Sequence, residues 1–233
     1  MDLRGATAYI TGGGSGIGFA IASALALEGT NLILASRRID LLRGKAEELH
    51  RSHGVQTYAV EMDLRNAHTI RAAVNDTAKN FLPVDVLINN SGVGHDAAAV
   101  HLTEEDWDRV LDTNLKGAFI LTQELLPKMI ERRKGHIINI SSQAGLHGYA
   151  NATAYCASKF GLIGFGQALQ EEVRQYNIKV TNLMPALVQV PPPANPGEVR
   201  SGVLQVVDLA ALVGFALKQP DRVKFADLGL YHL

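Results

Sequence analysis

Tyr155 and Lys159 have the residue types and the spacing that acid–base chemistry requires. They lie four positions apart in Tyr155-Cys156-Ala157-Ser158-Lys159, so on a helix both side chains would project from one face. A free tyrosine has a pKa of about 10 and is a poor proton donor or acceptor near neutral pH. A nearby ammonium group stabilises the phenolate and lowers this pKa. A Tyr-x-x-x-Lys pair alone is commonly structural, so its context must decide whether it is catalytic.

A glycine-rich run near the start of the chain could hold a phosphate group. It reads Thr11-Gly12-Gly13-Gly14-Ser15-Gly16-Ile17-Gly18 and joins a predicted strand to a predicted helix. A backbone without side chains can approach a pyrophosphate closely, and a helix N-terminus offers free N–H groups and a favourable dipole. A merely tight loop is the alternative, but the position at the first strand–helix junction favours dinucleotide binding. We therefore predict cofactor contacts from Gly12, Gly14, Ser15, Gly16, Ile17 and Gly18.

The end of the second predicted strand indicates which dinucleotide would bind. An acidic residue about 20 positions after the glycines would bind a free ribose 2′-hydroxyl. The sequence there is Ala35-Ser36-Arg37-Arg38, without a carboxylate. Two guanidinium groups can pair with a 2′-phosphate, so Ser36, Arg37 and Arg38 predict NADP(H) rather than NAD(H). The alternative is that one arginine only begins a solvated helix.

Alternating strands and helices must position these residues. Several predicted strands are almost continuously apolar, which is typical of a parallel sheet covered on both faces. Repeated strand–helix alternation predicts an α/β fold, a single-domain doubly wound parallel sheet (Rossmann-like) over residues 1–233. The predicted strands are Ala6–Ile10, Asn31–Ala35, Gln56–Glu61, Val84–Asn89, His136–Ser141, Lys179–Met184 and Lys224–Tyr231. The predicted helices are Gly16–Glu28, Ile39–His53, Ala67–Phe81, Thr103–Glu131, Thr153–Tyr176 and Val207–Lys218.

Composition narrows the class of protein. The chain has 233 residues, of which 47% are hydrophobic, and a formal net charge of −1, which argues against a broad nucleic-acid footprint. Cys156 is the only cysteine, so no intrachain disulfide can form. No apolar run approaches the ~20 residues of a membrane span, and no signal peptide is evident. We expect a cytoplasmic protein without nucleic-acid or membrane partners, and no metal site, because no Cys or carboxylate cluster accompanies the histidines.

Taken together, the motifs resemble those of the short-chain dehydrogenase/reductase family. The shared features are Thr11-Gly12-x-x-x-Gly16-x-Gly18, Asn89-Asn90-Ser91-Gly92, Asn114, Ser141-Ser142 and Tyr155-x-x-x-Lys159, in the family's order and spacing. The resemblance covers residues from about 5 to 185. It is strongest to the branch that includes 3-oxoacyl carrier-protein reductases and carbonyl reductases.

This resemblance implies a catalytic set. Tyr155 would be the general acid in carbonyl reduction and the base in the reverse reaction. Lys159 would lower the pKa of Tyr155 and bind the nicotinamide ribose. Ser142 would hold the substrate oxygen, with Ser141 as the alternative, and Asn114 would hold a water that links Lys159 to solvent.

The resemblance also implies further cofactor contacts. Asn90, Ser91 and Gly92 would form a turn on the adenosine side, with Ser91 where the family usually has Ala. The Asp63 side chain and the following backbone at Leu64 would approach the adenine. After the sixth strand, Pro185 and Val188 would lie near the nicotinamide. There the family's usual Gly and Thr are replaced by Ala186 and Val190, which puts the usual carboxamide contact in doubt.

We therefore predict an NADP(H)-dependent oxidoreductase acting on a small-molecule carbonyl or secondary alcohol. The alternatives are a 3-oxoacyl-thioester reductase and a non-catalytic NADP-sensing or scaffold protein. The family implies a homodimer or homotetramer, with the fourth and fifth predicted helices at the interface. A short substrate loop is expected at about 191–205, and His95 and His147 are candidates for the pocket mouth. Arg132-Arg133-Lys134 is either a solvated helix end or a surface for an acidic carrier protein.

Overall fold

Nearly continuous apolar strands form the centre of the fold. The computed structural model describes residues 1–77, 81, 83–190 and 202–232. Seven parallel strands form one sheet in the order β3-β2-β1-β4-β5-β6-β9. Their bounds are β1 Thr7–Thr11, β2 Asn31–Ser36, β3 Thr57–Glu61, β4 Val86–Asn89, β5 Gly135–Ile140, β6 Ile178–Pro185 and β9 Asp227–Leu230. The prediction of a doubly wound parallel sheet is confirmed. The single-domain assignment for 1–233 stays a prediction.

Helices cover both faces of this sheet because its strands present apolar side chains alternately to each side. On one face, β1 residues Ala8 and Ile10 pack with helices α1, α2 and α7. On the other, Tyr9 packs with α3, α5 and α6. The helices are α1 Gly16–Leu27, α2 Ile39–His53, α3 Ala67–Asp76, α4 Glu104–Leu111, α5 Gly117–Arg132, α6 Thr153–Val173 and α7 Val206–Lys218. None of the described helices has the length and apolarity to cross a membrane.

The fourth predicted helix differs from the observed structure. Instead of one helix over Thr103–Glu131, α4 and α5 are separated by a π-helical turn, Asp112–Lys116. Thr103 caps α4 as predicted, since its hydroxyl accepts from the Asp106 N–H at 3.1 Å. The extra residue shifts the later apolar positions by one place, which is hard to distinguish in sequence from ordinary irregularity of a helical pattern, although such turns are frequent at functional sites.

Only the last residues of the predicted substrate loop are among those that the structure describes. Positions 191–201 lie outside the described residues. At the end of this range, Leu204–Gln205 forms a short strand, β8, paired with β7, Val188–Gln189. This small parallel ladder packs Val188 with Ala186, Leu204 and Leu209 beside the carboxyl end of β6. The substrate loop at about 191–205 stays a prediction.

The order of the strands determines where a site can form. β1 lies between β2 and β4. From β1 the chain adds β2 and β3 on one side, and it then crosses over to add β4, β5 and β6 on the other side. Open parallel sheets bind ligands beyond the carboxyl ends of the strands at such a switch point. Here those ends carry Thr11 and Asn89, with the glycine run directly after Thr11.

Candidate active site

The glycine run forms a tight turn between β1 and α1. Gly12 and Gly16 have φ values of +67° and +54°, a region that L side chains rarely adopt. A Cβ on Gly18 would collide with the Gly12 carbonyl and lie 2.5 Å from the Asn90 side-chain nitrogen. Glycine is therefore required at these positions by backbone conformation and by the close approach of α1 to the strand ends.

The N-terminus of α1 is available to an anion. Ser15 is its N-cap in extended conformation, and its side chain makes no capping hydrogen bond. No acidic residue lies in the first turn of the helix. The first N–H groups and the positive end of the helix dipole are thus left for a ligand, which fits a pyrophosphate.

A groove of about 300 Å³ extends from this turn to the end of β2. Arg37 and Arg38 are exposed at its far end, and among the described residues neither has a carboxylate within ion-pair distance. Asp63 is paired with Arg65, whose guanidinium lowers the pKa of that carboxyl. Of the predicted cofactor residues, the groove is lined by Gly12, Gly14, Ser15, Ile17, Ser36, Arg37, Arg38, Asp63, Leu64, Asn90, Ser91 and Gly92. Gly16 and Gly18 shape the turn beneath it.

Thr11 is a residue whose role sequence reasoning missed. Its hydroxyl accepts hydrogen bonds from the N–H groups of Asn90 and Ser91 at 2.9 and 3.0 Å. The Asn90 amide donates in return to the Thr11 carbonyl at 2.8 Å. The two cofactor-side turns are therefore bonded to each other. The position of Thr11 at the start of the glycine run is the only sequence signal that could have indicated this role. The groove also includes Leu41, Met62 and Thr113, which no motif singled out.

A second cavity, of about 570 Å³, continues from the groove. The two share Ile17, Asn90, Gly92, Val93 and Val190 as lining residues. The second cavity adds the predicted residues Ser142, Tyr155, Lys159, Pro185 and Val188. The structure thus brings the predicted acid–base residues to one end of the predicted dinucleotide groove.

Lys159 is buried at the base of this cavity. Its ammonium donates a hydrogen bond of 2.8 Å to the Ile140 carbonyl at the end of β5. Burial lowers the pKa of Lys159 to about 8. The Nζ atom lies 5.7 Å from the centre of the Tyr155 ring. Tyr155 and Lys159 therefore share one helix face and one cavity, as the spacing predicts.

The expected lowering of the Tyr155 pKa is wrong for this structure. Burial raises the pKa of Tyr155, and the nearby Ser142 side chain opposes the rise only in part. The reason is that Tyr155 is mostly removed from water while the Lys159 ammonium is directed to the Ile140 carbonyl. The phenol is thus held protonated, as a proton donor requires.

The two adjacent serines have different surroundings. The Ser141 hydroxyl is buried and donates to the Lys159 carbonyl at 3.0 Å. The Ser142 hydroxyl accepts from the Ala144 N–H at 3.1 Å, and Ser142 lines the second cavity together with Tyr155. This geometry favours Ser142 over Ser141 as the residue that contacts substrate.

Asn114 lies in the π-helical turn and is buried. Its side chain accepts from the Val93 N–H at 2.8 Å and donates to the Val93 carbonyl at 2.9 Å. It also donates to the Ser158 hydroxyl at 3.0 Å, and Ser158 donates to the Tyr155 carbonyl at 2.7 Å. Asn114 thus links the loop after β4 to the helix that carries Tyr155. Its expected water stays a prediction.

The loops at the cavity mouth differ from expectation. Neither His95 nor His147 is among the lining residues; His95 is directed to α4, with Nε2 3.5 Å from the Asp106 carboxylate. Gly94, Asp96 and Tyr149 line the cavity instead. In an irregular loop the side chains do not alternate with a fixed period. The sequence therefore could not show which residues of these loops face the cavity.

Ala186 and Val190, the two residues that differ from the family pattern after β6, both lie near the cavities. Ala186 is buried, and its N–H donates to the Leu230 carbonyl at 2.8 Å. Val190 lies where both cavities meet, and a Cβ on Gly16 would be 3.2 Å from its Cγ1. An apolar side chain therefore stands where a hydroxyl could have donated a hydrogen bond. Within the described residues, no group of three His, Cys, Asp or Glu could hold a metal ion.

Known proteins are similar to this chain over most of its length. The sequence profile of the short chain dehydrogenase family matches residues 6–196. The 3-oxoacyl-[acyl-carrier-protein] reductase FabG of Thermotoga maritima is 37% identical over 194 residues, which is 82% of this chain and 77% of that protein. An alcohol dehydrogenase from the archaeon Thermococcus sibiricus, complexed with 5-hydroxy-NADP, superposes with a TM-score of 0.91 at 26% identity, covering 99% and 97% of the chains.

A metagenomic short-chain oxidoreductase in complex with NADP gives a TM-score of 0.87 at 31% identity, covering 100% and 99% of the two chains. The cofactor class expected from the sequence, NADP(H), is the class named in both of these solved complexes. The profile match spans the glycine turn, the asparagine turn, Ser142 and the Tyr155–Lys159 pair. The chain therefore belongs to the short-chain dehydrogenase/reductase family of oxidoreductases.

Proposed function

We propose that this protein is an NADP(H)-dependent oxidoreductase that transfers a hydride between the nicotinamide and a carbonyl or secondary alcohol. The observation that carries the proposal is the convergence of Ser142, Tyr155 and Lys159 on one cavity that continues into the glycine-turn groove. A proton donor, an oxygen-holding hydroxyl and a dinucleotide groove are the parts that such a reaction needs.

The chain's own groups suit the cofactor. The uncapped N-terminus of α1 and the glycine turn would hold the pyrophosphate. Arg37 and Arg38 would pair with the 2′-phosphate, because they are exposed in the groove and the described residues provide no carboxylate partner for them. Asp63 and Leu64 would flank the adenine. The two solved complexes with NADP-type ligands support this assignment.

The proton transfer follows from the second cavity. The bound nicotinamide supplies the hydride. Ser142 would donate to the substrate carbonyl oxygen, and the Tyr155 phenol, whose pKa is raised by burial, would deliver its proton to that oxygen. Lys159 would then stabilise the phenolate, since its ammonium lies close to the ring and is charged below a pKa of about 8.

A 3-oxoacyl thioester is the second candidate substrate, supported by the similarity to the Thermotoga maritima reductase. Arg132-Arg133-Lys134 is a poor docking surface for a carrier that delivers such a substrate. It directly precedes β5, whose opposite end reaches the cleft at Ile140. Arg132 is moreover bonded to the Asp85 carboxylate at 2.9 Å and to the Val84 carbonyl. A carrier would have to bind elsewhere, nearer the cavity mouth.

A non-catalytic NADP sensor is the third possibility. A protein that only binds the cofactor does not need Ser142 and Tyr155 in one cavity beside a buried lysine. The retained set of Asn114, Ser142, Tyr155 and Lys159 therefore favours catalysis over sensing.

We further propose a homodimer or homotetramer in the cytoplasm, using the helices predicted as the interface. Phe119 on α5 and Phe160 on α6 are 44% and 48% exposed, which is high for large aromatic side chains. Light scattering coupled to size-exclusion chromatography tests this. A mass of one 25.1 kDa chain would contradict the proposal.

The function is tested by a panel of ketones, aldehydes and 3-oxoacyl thioesters of graded size, with NADPH consumption as the readout. Turnover of at least one carbonyl by the wild type supports the proposal. NADPH binding without turnover on any compound would favour the sensor. A preference for thioesters over simple ketones of equal chain length would select the second candidate.

A further inference from the structure

The dinucleotide groove has one acidic residue, Asp63, among its described lining residues. It lies at the same end of the groove as Arg37 and Arg38, because the neighbouring strands β2 and β3 end side by side. Ser36, the last residue of β2, accepts a hydrogen bond of 3.0 Å at its carbonyl from the Met62 N–H just after β3. Arg37 and Asp63 are the next residues on these two adjacent segments.

A free carboxylate at this place would oppose the binding of NADP(H). A 2′-phosphate is close to a dianion near neutral pH, and like charges at short range repel each other. A free carboxylate would also be an alternative ion-pair partner for Arg37 and Arg38, the residues proposed for the phosphate. Binding of the 2′-phosphate therefore requires a group that neutralises Asp63.

Arg65 supplies this group. Its Nε lies 3.0 and 3.1 Å from the two carboxylate oxygens of Asp63, and its Nη2 donates to one of them at 2.5 Å. The Arg65 backbone N–H also donates to the carboxylate, at 3.0 Å. Arg65 itself is not among the residues that line the groove. The guanidinium therefore neutralises the carboxylate from outside the groove.

The turn after β3 holds this ion pair in place. The Asp63 N–H donates to the Thr69 hydroxyl at 3.2 Å, and that hydroxyl donates to the Asp63 carbonyl at 2.7 Å. The Asp63 carbonyl also accepts from the Asn66 N–H at 3.0 Å. Asn66 is the N-cap of α3, so the Asp63 backbone is anchored to the start of that helix. The Asp63 side chain is left to Arg65 and to the groove.

The electrostatics of Asp63 agree with this arrangement. The Arg65 guanidinium lowers the pKa of the Asp63 carboxyl, and the charge of Arg37 lowers it further by a smaller amount. Within the described part of the chain, Arg37 has no carboxylate within 4.0 Å, so it acts on Asp63 through space. Asp63 is thus close enough to interact with an arginine proposed for the phosphate, while Arg65 compensates its charge.

We propose that Arg65 is a positioning residue that determines cofactor specificity: it acts through Asp63, by neutralising that carboxylate and keeping it away from Arg37. The proposal rests on the binding of NADP(H) in this groove, as proposed above. Without Arg65, the Asp63 carboxylate would either repel the 2′-phosphate or pair with Arg37. Both effects weaken the binding of NADPH, and neither weakens the binding of NADH, which has a 2′-hydroxyl instead.

The test compares the dissociation constants of NADPH and NADH, measured with the full chain by fluorescence titration. The two cofactors differ only in the 2′-phosphate, so the ratio of their constants isolates the contribution of that phosphate. Arg65→Gln removes the guanidinium and keeps the backbone N–H that bonds to Asp63. The preference for NADPH should fall about two- to fivefold in this variant, a modest change because the ion pair is partly exposed.

A double variant separates compensation of Asp63 from direct contact between Arg65 and the phosphate. In Asp63→Asn combined with Arg65→Gln, the carboxylate that Arg65 compensates is absent as well. The preference for NADPH should therefore return at least to the wild-type value. Any contact of Asp63 with the adenine is shared by NADPH and NADH, so its loss cancels in the ratio.

Arg71→Gln is the matched control. Arg71 on α3 pairs with Glu124 on α5, with 2.9 Å between the Arg71 Nε and a carboxylate oxygen. This pair lies outside the groove and is about as exposed as the pair of Asp63 and Arg65. The variant makes the same change in net charge and also frees a carboxylate. Its preference for NADPH should equal that of the wild type.

An unchanged preference in Arg65→Gln would overturn the proposal and leave the NADP(H) assignment intact. A loss that the double variant does not restore would show direct contact with the phosphate, and an equal loss in Arg71→Gln would assign the effect to net charge. Either result also overturns the proposal. A wild type without preference for NADPH would contradict the assignment from Arg37 and Arg38, and this proposal with it. All readouts are binding constants, so they are independent of turnover.

Discussion

The Lys159 ammonium donates a hydrogen bond of 2.8 Å to the Ile140 carbonyl, which joins helix α6 to the carboxyl end of β5. The Ser141 hydroxyl adds a second link by donating to the Lys159 carbonyl at 3.0 Å. Ser142, two residues after the end of β5, lines the same cavity as Tyr155 on α6. Acid, hydroxyl and ammonium are thus fixed relative to one another by contacts between one helix and one strand.

The pH dependence of the two directions should differ. Reduction needs protonated Tyr155, whose pKa is raised by burial, and charged Lys159, whose pKa is about 8. In carbonyl reduction, kcat/KM should be constant near neutral pH and fall above about pH 8 as Lys159 loses its proton. Alcohol oxidation needs the phenolate and should become faster as the pH rises.

Lys159→Arg separates the two groups in this experiment. Arginine stays charged above pH 12, so the fall in reduction should move to higher pH in the variant. Steady-state kcat/KM measured from pH 6 to 10 for both proteins checks this. An unchanged profile in Lys159→Arg would assign the fall to another group.

Arg37 and Arg38 should decide cofactor preference. Replacing both with alanine removes two charged partners for a 2′-phosphate, and each such hydrogen bond contributes about 1.5–3 kcal/mol. We expect NADPH affinity to fall at least about tenfold while NADH affinity stays within a factor of a few, as measured by cofactor fluorescence titration. Arg51→Ala, on helix α2 directly after these arginines but outside the groove, should change neither affinity. Equal losses for both cofactors would contradict the assignment.

Gly18 should be intolerant of a side chain. Gly18→Ala places a methyl group against the Gly12 carbonyl, so the turn must shift, at a cost of about 1–3 kcal/mol in the free energy of unfolding and with weaker NADPH binding. Gly44→Ala is the matched control, because a Cβ added at Gly44 would have no other group within 4 Å.

Gly44 lies within α2, where alanine is preferred over glycine by up to about 1 kcal/mol. Thermal denaturation should therefore show opposite shifts for the two variants. A Gly18→Ala protein as stable as the wild type and with unchanged NADPH affinity would show that the close approach at Gly18 is not required.

Features set by local pattern could be predicted from the sequence. The apolar runs indicated six of the seven sheet strands to within a few residues, and β9 fell inside its predicted range. The glycine turn, the arginines after β2 and the Tyr155–Lys159 pair were found because short spacings determine their geometry. The parallel arrangement followed from strands without alternation.

Features set by tertiary contacts could not be predicted. The π-helical turn at Asn114 shifts the apolar pattern by only one residue, which the sequence does not reveal. The Ile140 carbonyl that accepts from Lys159 is a backbone group with no sequence signal. The predicted direction of the Tyr155 pKa shift was wrong because burial depends on the packing of the whole cavity. Only the folded structure could show that Arg133 and Lys179 line one cavity at the amino-terminal ends of β5 and β6.

The most direct test of the catalytic proposal is transfer of deuterium from NADPH that carries deuterium at both C4 positions to a carbonyl substrate by the wild type and by Tyr155→Phe. We predict deuterium on the carbinol carbon of the product with the wild type. We predict a loss of about 10²–10⁴-fold in kcat with Tyr155→Phe, the range for removal of a general acid, with NADPH affinity nearly unchanged. Deuterium transfer at a similar rate by Tyr155→Phe, or product without deuterium from the wild type, would contradict the proposal.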